Sequence, residues 1–142
     1  MNSVVIDANL AVYAVLPNPK HEQAVRLFES WVENDFSMLV PHLWFCEVTT
    51  AIRKSIILSR ISPKTALNAL QAVLALLVEV IGEDADFYIH AYQWAEKLGH
   101  LAVYDAIYLA LAERAKAEFY TADQKLFNRC LEIGISFVKL AV

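Results

Sequence analysis

The sequence predicts an α/β fold whose mainly parallel sheet is covered by helices on both faces. Two observations predict it. Short β-branched or aromatic runs alternate with longer stretches of helical spacing. Only 3 Gly and 4 Pro occur in 142 residues, which argues for compact elements joined by short connections. That length suits one domain with a proper core, and no repeat, low-complexity tract or Gly/Ser linker interrupts it, so residues 1–142 read as one unit.

Taken in order, Val4-Val5-Ile6 is a β-branched run read as a fully buried strand. Ala8 to Leu16 follows as a short helix stopped by Pro17. From His21 to Val32, the apolar residues Ala24, Val25, Leu27, Phe28, Trp31 and Val32 recur at helical spacing. Met38-Leu39-Val40 is a second strand ended by Pro41, and a long helix runs from about His42 to Leu58. Ser62-Pro63 starts the next helix, with the serine as cap and proline at the first position. It gives way near Leu77 to a third strand, Val78-Glu79-Val80. Asp84 caps a helix that Gly99 terminates. Val103 to Lys116 is helical, Phe119 to Thr121 a strand, Gln124 to Ile133 a helix before Gly134, and Ser136 to Leu140 the last strand.

Composition excludes several classes. The formal net charge of −4 gives no broad attraction to a polyanion, so nucleic-acid contact must use local basic groups such as Arg53, Lys54, Arg60 and Lys64. Cys46 and Cys130 are flanked by Phe45 and Leu131 and read as small buried hydrophobes, which fits a reducing cytoplasm. The start, Met1-Asn2-Ser3, lacks the basic region of a signal peptide, and the most apolar stretch, Ala66 to Ile81, is too short and too polar to span a membrane. Hydrophobic residues make up 58% of the chain, above the ~45–50% usual for a soluble domain. Part of that apolar surface, concentrated in Ala24–Val32 and Ala66–Leu77, is expected to be covered by a second copy or another partner.

Four acids stand where apolar stretches end or turn: Asp7, Glu47, Asp105 and Asp123. Asp7 and Asp123 follow strands, at the sheet edge where α/β proteins bind ligands. Each also has a structural explanation, because Asp caps helices and favours the first helical turn. Glu47 is harder to explain so, since Leu43, Trp44, Phe45, Cys46 and Val48 leave it no clean polar face. Acids drawn to one edge repel each other unless a cation neutralises them, which points to a divalent metal and to phosphate chemistry.

The segments Val4-Val5-Ile6-Asp7-Ala8-Asn9, Trp44-Phe45-Cys46-Glu47-Val48-Thr49, Tyr104-Asp105-Ala106-Ile107-Tyr108-Leu109-Ala110-Leu111-Ala112 and Phe119-Tyr120-Thr121-Ala122-Asp123 occur in the order found in PIN-domain nucleases. The chain resembles that family along nearly its whole length, and in size it resembles the VapC-type toxins of toxin–antitoxin pairs. The resemblance implies a three-layer α/β/α sandwich with the Asp7 strand central. It also implies an Mg²⁺- or Mn²⁺-dependent endoribonuclease of the cytoplasm, a homodimer, and a cognate antitoxin. Asp7, Glu47, Asp105 and Asp123 match the family's catalytic, metal-binding positions, while Asn9 and Thr121 match its supporting polar residues. Arg53 and Lys54 are the candidate RNA contacts.

Other chemistries fit less well. His21, His42, His90 and His100 show no zinc-type spacing with the cysteines. Ser62 and Ser136 lack a nucleophile elbow, and no phosphate-binding glycine loop is present. Tyr88, Tyr92, Tyr104 and Tyr108 sit at helical spacings and read mainly as packing residues. An aspartyl-phosphate phosphohydrolase would need a second Asp where Asn9 stands, and Asn cannot deliver a proton. A non-catalytic module of the same fold, its acids docking basic partner side chains, is the remaining alternative. For the nuclease, Asp7→Asn or Asp105→Asn is expected to abolish cleavage and leave the metal-free protein no less stable.

Overall fold

The strands join in one five-stranded sheet in which every neighbouring pair is parallel. They are β1 (Ser3–Ile6), β2 (Ser37–Val40), β3 (Val78–Val80), β4 (Glu118–Thr121) and β5 (Val138–Leu140), in the order β3-β2-β1-β4-β5. The computed structural model describes residues 2–142; Met1, where the sequence reading begins, lies outside them. Because β1 has a strand on each side and helices above and below, it must be apolar on both faces, and Val4, Val5 and Ile6 are all buried. β3 is an edge strand paired only with β2, and Glu79 and Val80 are exposed.

The helices are α1 (Ala8–Val15), α2 (His21–Glu33), α3 (Leu43–Leu58), α4 (Pro63–Leu74), α5 (Ala85–Leu98), α6 (Tyr104–Ala115) and α7 (Gln124–Glu132). Alternation along β4 sorts two of them between the layers. Tyr120 meets Trp31 of α2 edge-on, with ring centroids 5.0 Å apart, whereas Phe119 stacks on Tyr108 of α6 at 5.2 Å. α1 to α4 pack among themselves, and α5 covers α6, which completes a three-layer α/β/α sandwich. The middle of α6 is apolar all round because it is enclosed: Ala106 to Ala112 are buried without a break. Its alanines let it lie close to β1 and β4.

Sequence signals set most boundaries. Ser62 caps α4 through Thr65 N–H, and Pro63 occupies the first turn. Gly99 ends α5 with φ 72°, and His100 N–H returns to Ala95 C=O at 3.0 Å. Arg129 of α7 donates to Leu98 C=O at 2.9 Å, satisfying another carbonyl at that helix end. These contacts fix the segment that leads into Asp105.

Three expectations are corrected. Cys130 is buried, but Cys46 is exposed, because apolar neighbours at adjacent positions of a helix lie on other faces. β5 starts at Val138, so Ser136 and Phe137 precede the strand expected to include them. The apolar surface is exposed along Ala66–Leu77 as expected, but α2 keeps most of its own inside. α2 buries Ala24, Phe28 and Trp31 and exposes Val32, while α4 and its end expose Leu67, Leu74 and Leu77. Further exposed apolar groups lie at the end of α3 (Ile57, Leu58) and along α5 (Tyr88, Ile89, Tyr92). Among the described residues, no helix is long and apolar enough to cross a membrane.

Candidate active site

The sheet order reverses at β1: the chain steps outward through β2 and β3, then returns to the other side of β1 as β4. Loops leaving the carboxyl ends of β1 and β4 therefore diverge to opposite sides, and a crevice opens between them. Asp7 follows β1 and Asp123 lies two residues beyond β4, so both belong to this edge. Asp7 N–H donates to Tyr120 C=O at 3.1 Å, which ties the two strand ends together. Glu47, in the second turn of α3, and Asp105, in the first turn of α6, reach the same place. All four acids line one cavity of about 640 Å³, together with Asn9, Lys54, Tyr104 and Tyr108.

Each acid is held by its own local chemistry. Asp7 caps α1: Leu10 N–H donates to Oδ1 at 2.9 Å. Its Oδ2 accepts from the Thr121 hydroxyl at 2.5 Å and from Ala122 N–H at 3.1 Å. Asp123 caps α7 through Leu126 N–H at 3.1 Å, and its own N–H donates to Thr121 Oγ1 at 3.0 Å. Thr121, fully buried, therefore connects the two strand-end acids. Glu47 Oε1 accepts from the Tyr108 hydroxyl at 2.7 Å. Asp105 Oδ2 lies 3.4 Å from His100 Nδ1.

Their charges are poorly compensated. Burial, partly offset by the bonds from Thr121, Leu10 and Ala122, raises the Asp7 pKa above the ordinary carboxylate range, and Asp123 adds to the rise. Glu47 is raised first by burial, against the Tyr108 bond, and then by Asp7 and Asp105. Asp105 is raised by burial despite His100, with Asp123 and Asp7 contributing. Lys54, two helical turns beyond Glu47, brings a cationic side chain to the cavity lining. One lysine does not neutralise four acids.

The donor set suits a hard cation: four carboxylates line the cavity and supply oxygen ligands of the type that Mg²⁺ and Mn²⁺ prefer. As placed, however, no three His, Cys, Asp or Glu side chains among the described residues come close enough to share an ion. Each carboxylate engages a nearby donor: Glu47 the Tyr108 hydroxyl, Asp105 the His100 ring, and Asp7 and Asp123 the N-termini of α1 and α7. Glu47, Asp105 and Asp123 each retain one carboxylate oxygen outside these contacts.

The supporting groups divide. Thr121 contacts Asp7 directly, whereas Asn9 lines the cavity, is exposed and makes no hydrogen bond to the four acids. Lys54 reaches the cavity; Arg53 is exposed on α3 and does not line it. Glu47 is half-buried rather than enclosed, because Cys46, Thr50 and Lys54 give α3 an outward face after all. Tyr108, read from sequence as packing, has its ring in the core and its hydroxyl on Glu47. Its position three residues after Asp105 was the available signal, since such neighbours share a helix face.

The family model described as PIN domain matches residues 4–130. No curated protein matches the sequence. Among solved structures, a toxin–antitoxin complex from Klebsiella pneumoniae is similar at TM-score 0.70 and 18% identity, over 98% of each chain. VapC20 of Mycobacterium tuberculosis, described as a sarcin–ricin loop cleaving toxin, is similar at TM-score 0.70 and 17% identity, over 98% of this chain and 99% of that one. VapBC2 from Rickettsia felis, bound to a DNA fragment from its promoter, is similar at TM-score 0.66 and 18% identity, over 96% and 97%. At these identities the likeness is one of fold.

Proposed function

This chain belongs to the PIN domain family, and we propose that it is a metal-dependent endoribonuclease, the toxin of a toxin–antitoxin pair. The observation that carries the reading is the gathering of four acids, from four separate segments, at the switch point of a parallel sheet. Asp7, Glu47 and Asp105 would hold Mg²⁺ or Mn²⁺, with Asp123 binding directly or through water. A bound ion would supply charge stabilisation at a phosphodiester and promote attack by water. Thr121 fixes the Asp7 carboxylate, and the Leu10 and Ala122 N–H groups stop it from rotating. Asn9 would orient water or substrate at the exposed rim. Lys54, and Arg53 further out on α3, would receive RNA phosphates.

Two lines support the toxin reading. The similar structures include proteins described as toxin–antitoxin complexes. Exposed apolar side chains on α3, α4 and α5 are of the kind that partner chains cover. We assign them to a second copy of the chain and to an antitoxin, in the cytoplasm. The test is incubation of total cellular RNA with the purified protein in Mn²⁺ or in chelator. Internal cuts that need the ion and disappear in Asp105→Asn support the proposal; cuts that persist in chelator reject it.

A further inference from the structure

We propose that Tyr108 is a positioning residue whose buried hydroxyl holds the Glu47 carboxylate in the orientation a divalent cation requires. The inference rests on the metal-dependent reading of the cleft. Tyr108 is 3% exposed, and its ring stacks on Phe119 with an interplanar angle of 16°, so the phenol is fixed in direction. Its hydroxyl donates to Glu47 Oε1 at 2.7 Å, which leaves Oε2 as the oxygen available to a ligand.

The hydroxyl thus joins two acid-bearing segments: it bonds Glu47 on α3, and it belongs to the helix that carries Asp105 one turn earlier. A phenylalanine would fill the same space and preserve the stack. The hydroxyl is needed only to orient a partner or to satisfy itself. A half-buried glutamate on a long side chain has several rotamers, and one fixed donor selects among them at little entropic cost during ion binding.

The test is calorimetric titration of Mn²⁺ into the wild type, Tyr108→Phe, Glu47→Gln and the double variant. Melting of each in chelator serves as the control for folding. Phe retains the ring on Phe119, so the variant keeps its core. The expected result is a loss of Mn²⁺ affinity of about 10-fold or more in Tyr108→Phe, in the range for residues that orient metal ligands. The double variant should bind no more weakly than Glu47→Gln alone, since Tyr108 acts through Glu47. Affinity within twofold of the wild type in Tyr108→Phe would overturn the inference. So would an equal loss in the Glu47→Gln background, because the tyrosine would then be supporting the fold. A wild type that takes up no Mn²⁺ would instead remove the metal-dependent reading itself, and this inference with it.

Discussion

Asp7 and Asp84 do the same local job in opposite surroundings. Both cap a helix: Asp7 Oδ1 accepts from Leu10 N–H at 2.9 Å, and Asp84 Oδ1 accepts from Phe87 N–H at 2.8 Å. Yet Asp84 is held below the ordinary carboxylate range, first by its hydrogen bond from Arg114, whose guanidinium lies 2.9 Å away on the surface. Asp7 is pushed above that range by burial, with Asp123 instead of an arginine as its neighbour. A cap explains both geometries and neither electrostatic difference. The fold leaves Asp84 a finished ion pair, whereas Asp7 sits buried beside other acids, a setting the proposed cation would relieve.

Substitution should separate the two regions most strongly in cleavage. Asp105→Asn and Asp7→Asn are expected to lower metal-dependent RNA cleavage at least about 100-fold, since each removes a proposed ligand to the ion. Asp84→Asn, which keeps a good capping side chain, should cleave at the wild-type rate. A cleavage assay that found all three alike would erase the distinction.

Stability comes next, and here the structure divides two variants expected to behave alike. Among the described residues no backbone N–H donates to Asp105, so Asp105→Asn should leave the metal-free protein as stable or more so. Asp7 Oδ2 accepts from Ala122 N–H, and an amide turned that way would oppose one donor with another. Asp7→Ala would also strip the cap and leave the Thr121 hydroxyl and Ala122 N–H without an acceptor, a loss of about 1–3 kcal/mol in chemical denaturation. Equal stability of Asp7→Ala and Asp105→Asn in chelator would show that these bonds hold nothing in place.

The smallest effect is in the pH profile. Asp7, Glu47 and Asp105 are all raised, so the folded state binds their protons more tightly than the unfolded chain does. That contribution is full below the unfolded carboxylate value of about 4 and is lost as pH rises through the higher folded values. Melting in chelator should therefore fall as pH rises above the ordinary carboxylate range, and less steeply in Asp105→Asn. Asp84 runs the other way. Its lowered value favours the folded state above the ordinary range, and the benefit goes as pH falls through the lowered value. A steeper profile in Asp105→Asn would reverse the assignment.

Much of this was legible in the chain because it is local. Strand runs, the Ser62-Pro63 start, the Gly99 stop and the Asp caps follow from adjacent residues, and each stands within a few positions of where pattern placed it. Legibility failed where a third dimension decides. Cys46 has apolar neighbours in sequence but solvent on its own helix face. Ser136 and Phe137 look like strand, although ladder pairing with β4 runs only from Val138 to Leu140. Tyr108 shares its helical spacing with ordinary core residues, and only the approach of α3 across the sheet edge gives its hydroxyl a partner. The acids themselves stand out by position and motif, but the donor on which each rests is set by packing between elements and by helix starts.

The most direct test is the melting temperature of the wild type and of Asp105→Asn, each in chelator and in saturating Mg²⁺. A metal site built from repelling acids predicts that Asp105→Asn melts at or above the wild type in chelator. It further predicts that Mg²⁺ raises the wild type clearly more than the variant, because an ion that binds only the folded state stabilises it. If Asp105→Asn melts well below the wild type in chelator and gains as much from Mg²⁺, Asp105 is a structural residue of a helix start, and the cleft is not a metal-dependent nuclease site.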